Sequence, residues 1–92
     1  MKDLAKDIRR TWNPDLRIIS LKANDDWTLD LSYDNGDRLR FDFRPYLEHP
    51  WYAKLRNIEC FKQAQIDFDS VAWPGDTDIA PETLYEEGKS LK

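Results

Sequence analysis

A chain of 92 residues carrying a formal charge of -4 is the size of one small domain, and its acidic balance disfavours a nucleic-acid module built on a basic surface. Charged residues make up 35%, yet 4 Trp, 4 Tyr and 4 Phe supply enough burial for a packed core, which excludes a disordered chain. No apolar run reaches the ~20 residues of a membrane span, the first residues lack a signal-peptide stretch, and the single cysteine excludes an internal disulfide framework. A cytoplasmic location without membrane contact is expected.

Leu4, Ile8 and Trp12 recur every fourth residue and predict a short amphipathic helix over 1–13, ended by Pro14. Residues 1–14 then form a helical extension to a single α+β domain over 15–88, with 89–92 as a frayed tail. Strict alternation over Trp27–Tyr33 and Leu39–Phe43 predicts two strands, each with one buried face. Between them, a two-residue Asn35-Gly36 turn would set Leu31 against Arg40. A three-residue loop over 34–36 sets Leu31 against Leu39 and Leu29 against Phe41, with Gly36 at positive φ. The apolar match selects the longer loop.

The same argument applied backwards predicts a loop at 24–26, with Ala23 opposite Trp27, Leu21 opposite Leu29 and Ile19 opposite Leu31. The expected meander buries Ile19, Leu21, Trp27, Leu29, Leu31, Leu39, Phe41 and Phe43. Its outer face carries Thr28, Asp30, Ser32, Arg38, Arg40 and Asp42, with Asp30 across from Arg40, and turns Leu16 and Ile18 outward under the N-terminal helix. Pro50 opens a short helix through Arg56, with Trp51 and Leu55 on one side. A second hairpin pairs Phe68 with Val71 and Ile66 with Trp73 across Asp69-Ser70. A turn-rich passage follows over 73–79, then a helix over 81–87 that Gly88 closes. The fold class is α+β: an antiparallel meander and a second hairpin, with short helices packed on one face.

Leu29 to Asp37 with its Asn35-Gly36 turn, Phe41-Asp42-Phe43-Arg44-Pro45, Trp73-Pro74, Asp78-Ile79-Ala80-Pro81 and Leu84-Tyr85 occur in an order that resembles the bacterial family called domain of unknown function 2442. The resemblance spans roughly residues 16–87. It implies a small α+β fold and no established activity; members are often encoded beside another small protein, an arrangement like a toxin–antitoxin pair. One departure stands out, because the family places a polar residue before glycine after Trp-Pro, whereas here Gly75 precedes Asp76.

Asp76, Asp78, Glu82, Glu86 and Glu87 offer carboxylates, but their spacing matches no calcium loop and suits the start of a helix better. His49 and Cys60 are single residues without a nucleophile motif, and zinc needs more ligands than they supply. Arg38, Arg40 and Arg44, with Arg17 and Lys22, make the outer meander face mildly basic. Interleaved Asp30, Asp37 and Asp42 make it read as a solvated face. No catalytic, cofactor or metal residues are assigned. The expected function is a non-catalytic protein-interaction module, antitoxin-like by family context, with Trp51, Tyr52, Tyr46 and Trp12 as its interface. The alternatives are a small enzyme or metal-binding accessory using Asp76 and Asp78, and a transcriptional regulator.

Overall fold

The computed structural model describes residues 11–91. Residues 1–10 of the expected N-terminal helix lie outside the described residues, and 11–13 are not helical. The described chain is an α+β fold. Strands β1 (Ile18–Ala23), β2 (Thr28–Tyr33) and β3 (Arg38–Asp42) form the meander. After a 3-10 turn (Arg44–Tyr46) and a 3-10 helix (Pro50–Arg56) come helix α1 (Ile58–Phe61), strands β4 (Gln65–Asp67), β5 (Ser70–Trp73) and β6 (Thr77–Ile79), helix α2 (Pro81–Glu87) and strand β7 (Lys89–Ser90). They make two antiparallel sheets, β1-β2-β3-β7 and β4-β5-β6.

The β2–β3 register is the one the apolar pattern selects: Leu31 faces Leu39 and Leu29 faces Phe41. Gly36 closes the loop at φ +94°, with no atom within 4 Å of where a Cβ would stand. Its requirement for glycine is therefore conformational alone.

The β1–β2 register departs from expectation by two residues. Leu21 pairs with Leu31 and Ala23 with Leu29, so Trp27 leaves the strand and becomes the last loop residue at φ 63°. Two interactions hold it there: its indole packs against the core, and its Nε1–H donates to the Leu55 carbonyl at 2.8 Å. Thr28 locks the same turn, donating to Asp26 at 2.6 Å and accepting from Asn24 at 3.0 Å. A bulge between Ile18 and Ser20 then reverses the alternation. Leu16 and Ile18 point inward and are buried, whereas Ile19 is 64% exposed. The expected outward Leu16 and Ile18 are corrected by that one extra residue.

The second hairpin also shifts by two. Ile66 pairs with Val71 and Asp67 with Ser70, leaving Phe68 at the tip at φ 57° and 83% exposed. Trp73 pairs with Thr77 of β6 instead of Ile66. Burial of Ser70, whose hydroxyl donates to the Ile79 carbonyl, keeps that residue in the strand and out of the turn. The passage after Trp73 is a second tight hairpin, with Gly75 and Asp76 both at positive φ. A short β6 with only Thr77 and Ile79 facing inward carries too little alternation to be read from sequence.

Helix α2 begins with Pro81 in its first turn and ends at Gly88, as expected. Gly88 is extended, with φ -67° and ψ 151°, a conformation open to any residue; it is required because a Cβ would lie 2.9 Å from the Leu84 carbonyl oxygen and 3.1 Å from Leu39 Cβ. That close approach brings Lys89 and Ser90, expected to fray, against Arg40 and Leu39 as a fourth strand. The core lies on the inner face of the larger sheet. Phe41, Phe43, Tyr46, Tyr52, Phe61 and Trp73 form a chain of ring contacts between 4.9 and 6.3 Å that joins meander to second sheet.

Candidate functional site

The 3-10 helix Pro50–Arg56 is the element on which the expected interface depends. His49 starts it, its Nδ1 accepting from Trp51 N–H at 3.2 Å, and Pro50 supplies the fixed φ of a first turn. A 3-10 helix repeats every three residues, so Tyr52 and Leu55 share the inward side and Trp51 does not lie with Leu55 as a 3.6-residue helix would place it. Runs of this length are uncommon, and this one is tied down from several directions. Leu55 is fully buried, Arg56 Nε donates to the Leu47 carbonyl at 2.7 Å, Lys54 Nζ donates to the Pro74 carbonyl, and Tyr52 Oη donates to the Asp78 carbonyl at 2.9 Å.

Trp51 stands apart from this packing at 56% exposure. Tyr52 and Tyr46 are neighbours, with ring centroids 6.3 Å apart, but both are half-buried against Phe43. Burial, reinforced by the Glu87 carboxylate that accepts its hydroxyl, pushes the Tyr46 phenol up to about 12. Burial also raises Tyr52, with Asp78 adding to it. These phenols are neutral structural donors. Trp12 is half-buried, and its backbone N–H donates to Glu86 at 3.1 Å. Of the four expected interface residues, the structure joins Tyr46 and Tyr52 and leaves Trp51 as the exposed ring beside them; no contact among the described residues brings Trp12 to Trp51.

Residues of the Asn35-Gly36, Trp73-Pro74, Asp78-Ile79-Ala80-Pro81 and Leu84-Tyr85 segments hold the fold together. Tyr85 Oη donates to the Asp37 carboxylate, Asn35 Nδ2 donates to Asp37 at 3.1 Å and to Tyr85 Oη at 3.2 Å, and the Tyr33 and Tyr85 rings meet edge-on at 5.0 Å. Helix α2 is thereby pinned to the 34–36 loop. Trp73 Nε1–H donates to the Phe61 carbonyl at 2.8 Å, the Pro74 and Asp78 carbonyls receive Lys54 and Tyr52, and Leu84 is fully buried.

A model of the family described as "Protein of unknown function (DUF2442)" matches residues 18–90. The chain belongs to the DUF2442 family. No curated protein and no solved structure matches it. The DUF2442 match includes β7, so the fourth strand lies inside the family's own span.

Asp76 and Asp78 line a hollow of about 420 Å³ with Asp67 and Trp73. Among the described residues no three His, Cys, Asp or Glu side chains are placed to hold one metal ion. His49 caps its 3-10 helix, while Cys60 lies in α1 half-buried against the core. No described helix is long and apolar enough to cross a membrane.

Sequence reasoning missed Phe68 and Ile19 as exposed rings and branches, because a tip residue and a bulge each escape simple alternation. It also missed Lys89 and Leu91 on the outer sheet face. A two-residue strand has no period to detect, and the only usable signal was the glycine just before it.

Proposed function

We propose that this DUF2442 protein is a non-catalytic protein-binding module of the bacterial cytoplasm, the antitoxin-like partner of a small protein encoded beside it. The observation that supports this reading is Trp51, a 56% exposed indole at the head of a tied-down 3-10 helix. A large amphipathic ring on a pre-organised backbone needs little ordering on contact, and such rings are the usual energetic anchors of protein interfaces. The acidic balance of the chain favours a basic partner by speeding encounter. A single half-buried cysteine is in keeping with a reducing compartment.

The test is co-purification of the tagged protein and its Trp51→Ala variant from the source cell, followed by kinetics with the purified partner. Trp51→Ala is expected to speed dissociation by about tenfold or more, while salt chiefly slows association. A partner held equally by both proteins overturns the reading. So does a divalent-metal-dependent activity that Asp78→Asn abolishes, with no partner recovered.

A further inference from the structure

The outer face of the four-stranded sheet is a charged surface whose pairing the fold explains only in part. One cross-strand row runs over all four strands: Lys22 opposite Asp30, Asp30 opposite Arg40, Arg40 opposite Lys89. The next row holds Ser20, Ser32 and Arg38. Five cations, Lys22, Arg38, Arg40, Arg44 and Lys89, therefore share the face with two carboxylates, Asp30 and Asp42, in a chain whose net charge is -4. Asp30 is fully engaged, accepting from Arg40 Nε at 2.6 Å and from its NH2 at 3.0 Å. Asp42 is engaged likewise by Arg44, with both bonds at 2.9 Å. Lys22, Arg38 and Lys89 form no ion pair among the described residues and are exposed.

The relief of the face matches this charge. Two hollows of about 310 and 250 Å³ share Leu91 as a common wall. The first reaches from Lys22 to Arg38, the second from Arg40 to Lys89, so together they run across the sheet from β1 to β7. Three strand spacings amount to about 14 Å, the length of roughly four extended residues. Leu91 supplies an apolar contact shared by both hollows, and Ser20 and Ser32 supply hydroxyls to the first.

We propose that this groove binds an extended acidic segment of another protein, with its carboxylates on Lys22, Arg38 and Lys89. The proposal is independent of the Trp51 reading, since the 3-10 helix packs on the inner face of the sheet through Tyr52 and Phe43. A nucleic acid fits less well. The described outer face presents no aromatic ring for base stacking, and the net charge of the chain repels a long polyanion more than a short segment.

The test measures fluorescence anisotropy of a labelled octapeptide of alternating Glu and Ser with the intact protein. The same peptide with Lys for Glu, and a single-stranded DNA dodecamer, serve as comparators. The acidic peptide is expected to bind best, losing about tenfold or more in affinity between about 20 and 200 mM salt. Lys22→Gln combined with Lys89→Gln should weaken it by about tenfold or more at unchanged melting temperature, because both side chains are exposed and no new carboxylate is set opposite Asp30. Trp51→Ala should leave it unchanged. Preference for the Lys peptide, tighter binding of the DNA, or equal binding by the double variant overturns the proposal.

Discussion

Trp73 offers the sharpest test of how the two sheets are joined. Its side chain is 3% exposed, its ring centroid lies 5.3 Å from Phe43 and 5.9 Å from Phe61, and its Nε1–H donates to the Phe61 carbonyl. Trp73→Ala loses the transfer free energy of the indole and leaves a cavity, costing about 3–5 kcal/mol. It also strips a buried carbonyl of its donor, adding about 1 kcal/mol or more. Domains of this length have a total stability of roughly 5–14 kcal/mol, so the variant sits at the edge of unfolding. Trp73→Phe separates the two parts. It keeps most of the ring contacts and loses the donor, so it should cost only about 1–3 kcal/mol. Urea unfolding of the three proteins, followed by circular dichroism, gives both numbers, and each kcal/mol should move the melting temperature by about 4–8 °C. If Trp73→Ala melts within about 4 °C of the parent, Trp73 does not join the sheets and the account of the core is wrong.

Two glycines should fail for opposite reasons. Gly36→Val should cost about 1 kcal/mol or more through positive φ alone, whereas Gly88→Ala should cost about 1–3 kcal/mol through its clash with Leu84 and Leu39; urea midpoints check both, and a neutral Gly88→Ala would mean that β7 is not held close to β3. Tyr46 should make stability depend on alkaline pH. Its folded value near 12 lies above the ordinary 10, so the fold favours the neutral phenol; that contribution is whole below pH 10 and is lost as pH rises from 10 to about 12. Melting temperatures of the parent should fall more steeply across that window than those of Tyr46→Phe, and parallel curves would refute the burial of that phenol.

Where many alternating residues voted together, the chain could be read directly. Leu29, Leu31, Leu39 and Phe41 meet apolar partners across a three-residue loop and charged or polar ones across a two-residue turn, and Gly36 takes the positive-φ position that the longer loop requires. The limits of α2 followed from Pro81 and Gly88, since one starts a helix and the other ends it. The expected interface was legible only as a surplus of aromatics. Tyr46 and Tyr52 prove to be outer members of the core, and exposure alone separates Trp51 from them.

The sequence by itself thus determined the fold class, the central hairpin with its register, and the last helix, because those depend on local period and on backbone preferences of single residues. The tertiary structure alone decided the rest. Trp27 entered a loop at positive φ because its indole found the core and the Leu55 carbonyl, a partner 28 positions away. A bulge moved Ile18 in and Ile19 out, and Ser70 stayed buried because its hydroxyl reached Ile79. Lys89 joined a row of charges begun at Lys22 because Gly88 let the chain approach Leu39. Each of these outcomes depends on an energy between residues distant in sequence, which no local pattern carries.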